Sequence, residues 1–411
     1  MNRRQCRICA TSLRHSFADL GMSPISNAFL TSDALNRQEP FYPLQAYVCA
    51  NCFLVQLEEF EPPEKIFSDN YAYFSSYSDS WLDHARRYVD ATSERFRLGS
   101  QSRVVEIASN DGYLLQYFVA LGVPVLGIEP ARNVAAVAEK KGVRTLLKFF
   151  GRKTAQELVS QGERADLLLG NNVLAHVPDV NDFVAGLKIL LSSDGVVTME
   201  FPHLLRLMNG NQFDTIYHEH FSYFSLLTVI RLFGAHGLKI FDVERLSTHG
   251  GSLRIYACHD EASFGAEPSV RKILAEEHAE GLAQVATYEK FAEGVKEAKR
   301  ALLTFLIGAK RAGKSIAAYG APAKGNTLLN YCGVRTDLID YTVDRSPHKQ
   351  GQFLPGTHIP IHAPDQLRKT KPDYVLILAW NLRDEITEQM NDIRDWGGRF
   401  VVPIPTTTVL P

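Results

Sequence analysis

The stretch DTIYHEHFSYFS, residues 214–225, places His218 and His220 on either side of Glu219, with tyrosines before and after. An imidazole titrates near neutral pH, so either histidine can act as a general base without help from a metal. The pair also shares a face in an extended strand, as two metal ligands would. However, HEH does not have the HExxH spacing, and no third ligand is evident. An ordinary polar turn is the remaining reading, and the rest of the chain has to supply the chemistry these residues would serve.

The cysteines are a second constellation. Four of the six form two CxxC pairs, CRIC (Cys6, Cys9) and CANC (Cys49, Cys52). Thiolates two residues apart can grip one cation from a tight turn, and two such turns complete the tetrahedral all-sulfur site that Zn2+ favours. A redox CxxC would come singly beside a βαβ unit. A closed four-cysteine site has no open coordination position, so its metal is structural. Cys258 and Cys332 read as small core residues.

These groups need a scaffold. The chain has 411 residues, 45% hydrophobic and 22% charged, with a net charge of −2. These values suit a soluble protein of two or three domains, with no global field for nucleic acid or membrane. There is no signal peptide pattern and no apolar run long enough to span a bilayer, so the expected location is the cytoplasm. From residue 103 onward, strand patterns alternate with helical ones: RVVEIA, YLLQYFVAL, VPVLGIE, ARNVAAVAEKKG, VRTLLKFF, ADLLLGNN, VNDFVAGLKILL, GVVTMEF. That order predicts a doubly wound parallel sheet, with a ligand outside the carboxyl ends of its strands.

The first strand runs into Glu106, Ser109, Asn110, Asp111 and Gly112. This loop is not GxGxxG and lacks the glycines a dinucleotide pyrophosphate requires. Glu129, followed by Pro130, ends the second strand, where a carboxylate can accept both hydroxyls of a ribose. A nucleoside cofactor without phosphates fits, and S-adenosylmethionine has a cationic sulfonium suited to the acidic cradle. Asn171 and Asn172, in GNNVLAHVPD, would line the same pocket. A nicotinamide enzyme is the main rival.

Two glycine loops lie further on. GAKRAGKS (308–315) matches the phosphate-loop pattern letter for letter, but helix precedes it and strand follows it, the reverse of a phosphate-binding loop. It reads as a helix end capped by Gly313, with Lys314 solvated. SIAAYGAPAKGNTLLNY has the productive order of strand, turn and helix, so Lys324 and Asn326 could hold an anion at the helix start.

Taken in order, CRIC…CANC, NYAYFSS, VVEIASNDGYLL…GIEPA, NNVLAHVPD, YHEHFSYFS, HGGSLR and GAPAKGNT resemble the nucleotide-sugar C-methyltransferases. The likeness spans nearly the whole chain. It implies an α/β protein of three parts: a small zinc-binding N-terminal module (1–66), a Rossmann-like class I methyltransferase domain (67–270), and a C-terminal Rossmann-like domain with a long leading helix (271–411). It implies adenosylmethionine and structural Zn2+ as cofactors, and a dTDP-linked keto-deoxysugar as partner. The sugar would be methylated next to its ketone through a base-generated enolate. His220 would be the base, with Tyr217, Glu219, His176 and Tyr71 beside it, and Tyr73, His176, Lys324 and Asn326 would hold the sugar. No nucleic acid or membrane partner is expected, and the chain would be a monomer or weak oligomer. An NAD(P)-dependent nucleotide-sugar epimerase or dehydratase would also explain two α/β domains, but not the missing GxGxxG or the zinc module. A non-enzymatic zinc-bearing regulator would not need the Tyr/His/Glu constellation.

Overall fold

The computed structural model describes residues 4–62 and 73–410. The N-terminal strands are β1 (His15–Ser23), β2 (Tyr42–Val48) and β3 (Val55–Leu57). The central strands are β4 (Val104–Ile107), β5 (Val125–Ile128), β6 (Thr145–Leu146), β7 (Ala165–Asn171) and β8 (Leu191–Pro202), followed by β9 (Ser222–Tyr223), β10 (Leu238–Leu246) and β11 (Ser252–His259). The central sheet has the order β10-β11-β8-β7-β4-β5-β6, in which β8 to β6 are parallel and β10 and β11 antiparallel.

Helices cover both faces of this sheet, which is why its strands read as continuous apolar runs rather than alternating ones. Successive residues of β4 serve opposite faces: Val105 and Ile107 join one core and Val104 the other. The helix Asp79–Phe96 follows from its pattern. Ser78 caps its first turn by accepting from the Trp81 N–H, and Ala85, Tyr88, Val89 and Thr92 form its buried stripe.

β9 does not join the central sheet. It pairs with β3, so the N-terminal sheet has the order β1-β2-β3-β9 and takes its last strand from the segment just after His220. The two regions are thereby stitched together beside the histidines.

One expectation is corrected. The long leading helix is three helices, Pro268–Ala279, Val285–Glu289 and Phe291–Arg311. Gly281, with φ +80°, turns the chain after the first of them. That first helix packs against the central sheet through Val270 and Ile273. Its buried Glu277 accepts from the Leu226 and Leu227 N–H groups (2.7 and 2.8 Å) at the start of the helix Leu226–Gly234. Phe291–Arg311 instead runs between the outer sheets; the Phe291 ring stacks on Phe17 of β1 at 4.5 Å.

The C-terminal sheet contains β12 (Ile316–Tyr319), β13 (Thr342–Val343), β14 (Ile361–His362), β15 (Tyr374–Ile377), β16 (Arg399–Val402) and β17 (Thr408–Val409). Their order is β14-β13-β12-β15-β16-β17, parallel except for β17. The false phosphate loop is a helix end, as its order implied. Gly313 has φ +71°, and Lys314 forms an exposed pair with Asp373 at 2.9 Å. No helix among the described residues is long and apolar enough to cross a membrane.

Candidate active site

The loop after β4 takes a conformation its sequence conceals. Ala108, Asn110 and Gly112 have φ of +57°, +48° and +72°. Alternate positions are thus left-handed, and two of the three are not glycine, so the turn stores strain that its surroundings must hold. Glu129 supplies part of that hold. Its carboxylate accepts from the Asn110 and Ala131 N–H groups, at 2.9 Å each. Burial pushes its pKa up to about 7, against the pull of those two donors. Gly127, opposite, leaves no room for a side chain, because a Cβ there would lie 2.4 Å from the Ser109 hydroxyl.

Around this loop the described residues leave a row of buried polar atoms without hydrogen-bond partners: both oxygens of Glu106, the Ser109 hydroxyl, Asp111 Oδ1, both amide atoms of Asn171, and Asn172 Oδ1. Buried polar groups are ordinarily paired, so orphans gathered at adjacent strand ends mark a ligand site. Burial raises the Glu106 pKa well above the carboxylate range; Tyr113 opposes this, and Glu129 and Asp111 add to it. A cationic sulfonium and the hydroxyls of a ribose are the groups this acidic, acceptor-rich cradle fits. The segment after residue 72 closes over it. The Ser75 N–H donates to Asn110 Oδ1 (2.9 Å), the Asn110 amide donates to the Tyr73 carbonyl (3.1 Å), and Phe74 stacks on His348 of the C-terminal region. Pro130 lies in the turn into the helix Arg132–Lys140. Tyr71 lies outside the described residues.

The opening stretch is divided by its surroundings. Tyr217 and His220 are partly exposed, whereas His218 and Glu219 are buried. His218 packs edge-on against Tyr42 and Phe60, and its Nε2–H donates to the Pro43 carbonyl at 3.2 Å. It belongs to the joint with the N-terminal sheet. The His220 Nδ1 lies 2.9 Å from the Thr215 carbonyl and its Nε2 lies 2.8 Å from the Tyr217 hydroxyl. A carbonyl can only accept, so Nδ1 carries the proton and Nε2 is the basic nitrogen. Burial, followed by His176, holds the His220 pKa well below the usual value. His176 is fixed the same way, with Nδ1–H donated to the Glu219 carbonyl at 2.7 Å; its pKa is lowered to about 4 by burial. The two imidazoles meet edge to face, 4.6 Å between centroids. The Glu219 side chain turns elsewhere: both oxygens accept from the Asn27 amide at 2.8 Å, and burial pushes its pKa up to about 7. It is the backbone of Glu219, not its carboxylate, that orients an imidazole.

The C-terminal region forms the facing wall. The helix Ala323–Cys332 starts just after β12 and packs on the 213–215 turn. Lys324 donates to Asn381 Oδ1 (2.7 Å) and lies over the Trp380 ring, while the Trp380 indole donates to Asp214 (2.6 Å). Burial lowers the Lys324 pKa and raises that of Asp214 to about 6, and each charge opposes the other's shift. The Lys324 charge also lowers the pKa values of His220 and His249. Asn326 is buried, and both its amide atoms lack partners among the described residues.

Sequence reasoning missed several members of this site. Asp214 and Trp380 hold the wall, and Asn27 clamps Glu219. His249 sits at φ +54° beside Trp81, and its Nδ1 has no hydrogen-bond partner among the described residues. The two glycines after it, at φ +87° and +116°, were the available signal for a tight functional turn. Behind it, Glu200 accepts from Arg254, Thr248 and His84 at 2.9 Å each.

The four cysteine sulfurs lie within 4.8 Å of one another, with Cys6–Cys52 at 3.4 Å and Cys9–Cys49 at 3.5 Å. Zn–S bonds of about 2.3 Å in a tetrahedron space sulfurs about 3.8 Å apart, so the cluster fits zinc.

Comparison with known proteins finds three family models along the chain. Residues 6–67 match a zinc binding domain, 81–243 a methyltransferase domain, and 247–405 the C-methyltransferase C-terminal domain. The C-methyltransferase NovU of Streptomyces niveus is 37% identical over 406 residues, covering 99% of this chain and 96% of NovU. The ubiquinone biosynthesis O-methyltransferase of Bartonella quintana (strain Toulouse) is 32% identical over 96 residues, 23% of this chain and 39% of that one. Among solved structures, the Burkholderia thailandensis 1,6-didemethyltoxoflavin-N1-methyltransferase, with bound S-adenosylhomocysteine, is 20% identical. It covers 51% of this chain and 95% of that chain at a TM-score of 0.37. With its four-cysteine zinc site and its central methyltransferase sheet, this chain belongs to the S-adenosylmethionine-dependent C-methyltransferases to which NovU also belongs.

Proposed function

We propose that this C-methyltransferase acts on a dTDP-linked keto-deoxysugar and methylates the carbon next to the ketone through an enolate. The observation that carries the reading is His220. Its bond to the Thr215 carbonyl fixes the tautomer and leaves Nε2 as the basic nitrogen, beside the Tyr217 hydroxyl and edge to face with His176. The lowered pKa favours the neutral ring, the form that takes a proton, and makes Nε2 a weaker base than a free imidazole.

Adenosylmethionine, when bound, supplies an electrophilic methyl group on a sulfonium. Glu129 and the Glu106–Gly112 loop, with Pro130, Asn171 and Asn172, hold it. His220 Nε2 removes the α-proton. The Tyr217 hydroxyl donates to Nε2 in the free site and must leave it before the proton transfer, which frees it to donate to the enolate oxygen. His176 commits its N–H to the Glu219 carbonyl, so its Nε2 is an acceptor and suits a sugar hydroxyl. Lys324 and Asn326, with Tyr73 at the lid, hold the diphosphate-linked sugar. The test is mass spectrometry of candidate dTDP-ketosugars incubated with enzyme and adenosylmethionine. A gain of one methyl on carbon is expected; methylation confined to a hydroxyl would refute the reading.

A further inference from the structure

The zinc knuckles have more contact with the histidines than a remote structural site needs. Arg7 lies inside the Cys6–Cys9 turn. Its guanidinium donates to the Pro178 carbonyl (2.7 Å), two residues after His176, and to the Leu57 carbonyl (2.8 Å). It also lies over the ring of Phe221, the residue after His220, at 5.0 Å. Gln56 is buried beneath the same turn. Its amide N–H donates to Cys6 Sγ (3.3 Å), its carbonyl accepts from the Arg7 N–H (2.9 Å), and its own backbone pairs with Ser222 of β9. One residue on, the Leu57 N–H donates to the Phe221 carbonyl at 3.0 Å.

The two histidine segments are also tied to each other. The Phe221 N–H donates to the Ala175 carbonyl at 2.7 Å, next to the His176–Glu219 bond. The metal turn, β3 and the two imidazoles therefore form one continuous hydrogen-bonded unit. A thiolate that binds zinc is fixed in position, and so is the amide donating to it.

We propose that Gln56 and Arg7 are positioning residues that couple the four-cysteine zinc site to His176 and His220, so that the metal sets the geometry of the proton-transfer site as well as the stability of the N-terminal sheet. This rests on the reading of those histidines as catalytic. The coupling runs through groups that touch neither cofactor nor sugar. It should therefore act on the placement of the rings and leave the binding of adenosylmethionine at Glu129 intact.

The test uses full-length, zinc-loaded protein with 15N-labelled histidine. Gln56→Leu keeps the volume and removes both hydrogen bonds; Arg7→Lys keeps the charge, cannot bridge both carbonyls, and serves if Gln56→Leu does not fold. At unchanged zinc content and unchanged adenosylmethionine affinity, the imidazole resonances of His176 and His220 should shift, and kcat should fall about 10- to 100-fold with KM retained. The resonances are assigned by their loss in His176→Asn and His220→Asn. If both variants keep their zinc and leave these resonances in place, the positioning role is overturned. If instead the two histidine variants are fully active, it is the catalytic reading that fails, and the resonances still report whether the tie exists.

Discussion

Replacing Glu129 with glutamine tests the cofactor reading, and its effect can be worked out from the geometry. The carboxylate does two things at once. It accepts from the Asn110 and Ala131 N–H groups, and it retains lone pairs for the ribose. The amide introduced by Glu129→Gln has one acceptor oxygen where the carboxylate has two, so one buried backbone donor would face an amide N–H. An unsatisfied buried donor costs roughly 1–3 kcal/mol, here charged to a loop already strained at Ala108 and Asn110. Losing the charged acceptor for the ribose costs roughly another 1–3 kcal/mol of binding, about 5- to 150-fold in Kd. Calorimetry with adenosylmethionine measures the second effect, and thermal unfolding measures the first. Both should move. A lowered Tm with an unchanged Kd would mean that Glu129 only braces the loop, and the ribose assignment would fall.

Because burial holds the free Glu129 carboxyl at about 7, and the ribose favours its ionised form, binding should release a proton. Adenosylmethionine affinity should therefore rise with pH through about 7 and level off above it; a flat profile would contradict this. Purified protein should hold one zinc per chain, and the Cys6→Ser/Cys49→Ser double variant should hold none; zinc retained there would place the metal elsewhere. Lys324→Met should raise the KM for the nucleotide sugar about 5- to 150-fold, the scale of a lost charged hydrogen bond. Lys314→Ala should leave steady-state kinetics unchanged, since Lys314 only pairs with Asp373 on the surface; the opposite pattern would mean that the wrong glycine loop was dismissed.

What could be read from the chain was local and periodic. The buried runs of β4, β5 and β7, the stripe of Asp79–Phe96 and the reversed order around Lys314 all express short-range rules. The misses have long-range or conformational causes. Asn27 and Glu219 lie 192 positions apart, and the two-residue strand β9 is too short to show a period. The loop after β4 takes glycine-like backbone at Ala108 and Asn110, so a search for glycines passes over it. Gly281 breaks a stretch whose apolar pattern otherwise continues. Choosing His220 over His218 needed the family resemblance; that His218 packs between Tyr42, Phe60 and Pro43 depends on chain 158 or more residues away and could not be read from the stretch itself.

The role of His220 as the carbon base is tested most directly by exchange of the sugar α-proton with deuterated water, followed by NMR. The wild type should exchange that proton when the ketosugar is bound. His220→Asn should still bind sugar and adenosylmethionine, yet lose exchange and methyl transfer by the ~10^2–10^4-fold that general-base catalysis supplies. His218→Asn should retain exchange. Exchange persisting in His220→Asn and vanishing in His218→Asn would transfer the role to His218, and exchange persisting in both would place the base outside this histidine pair.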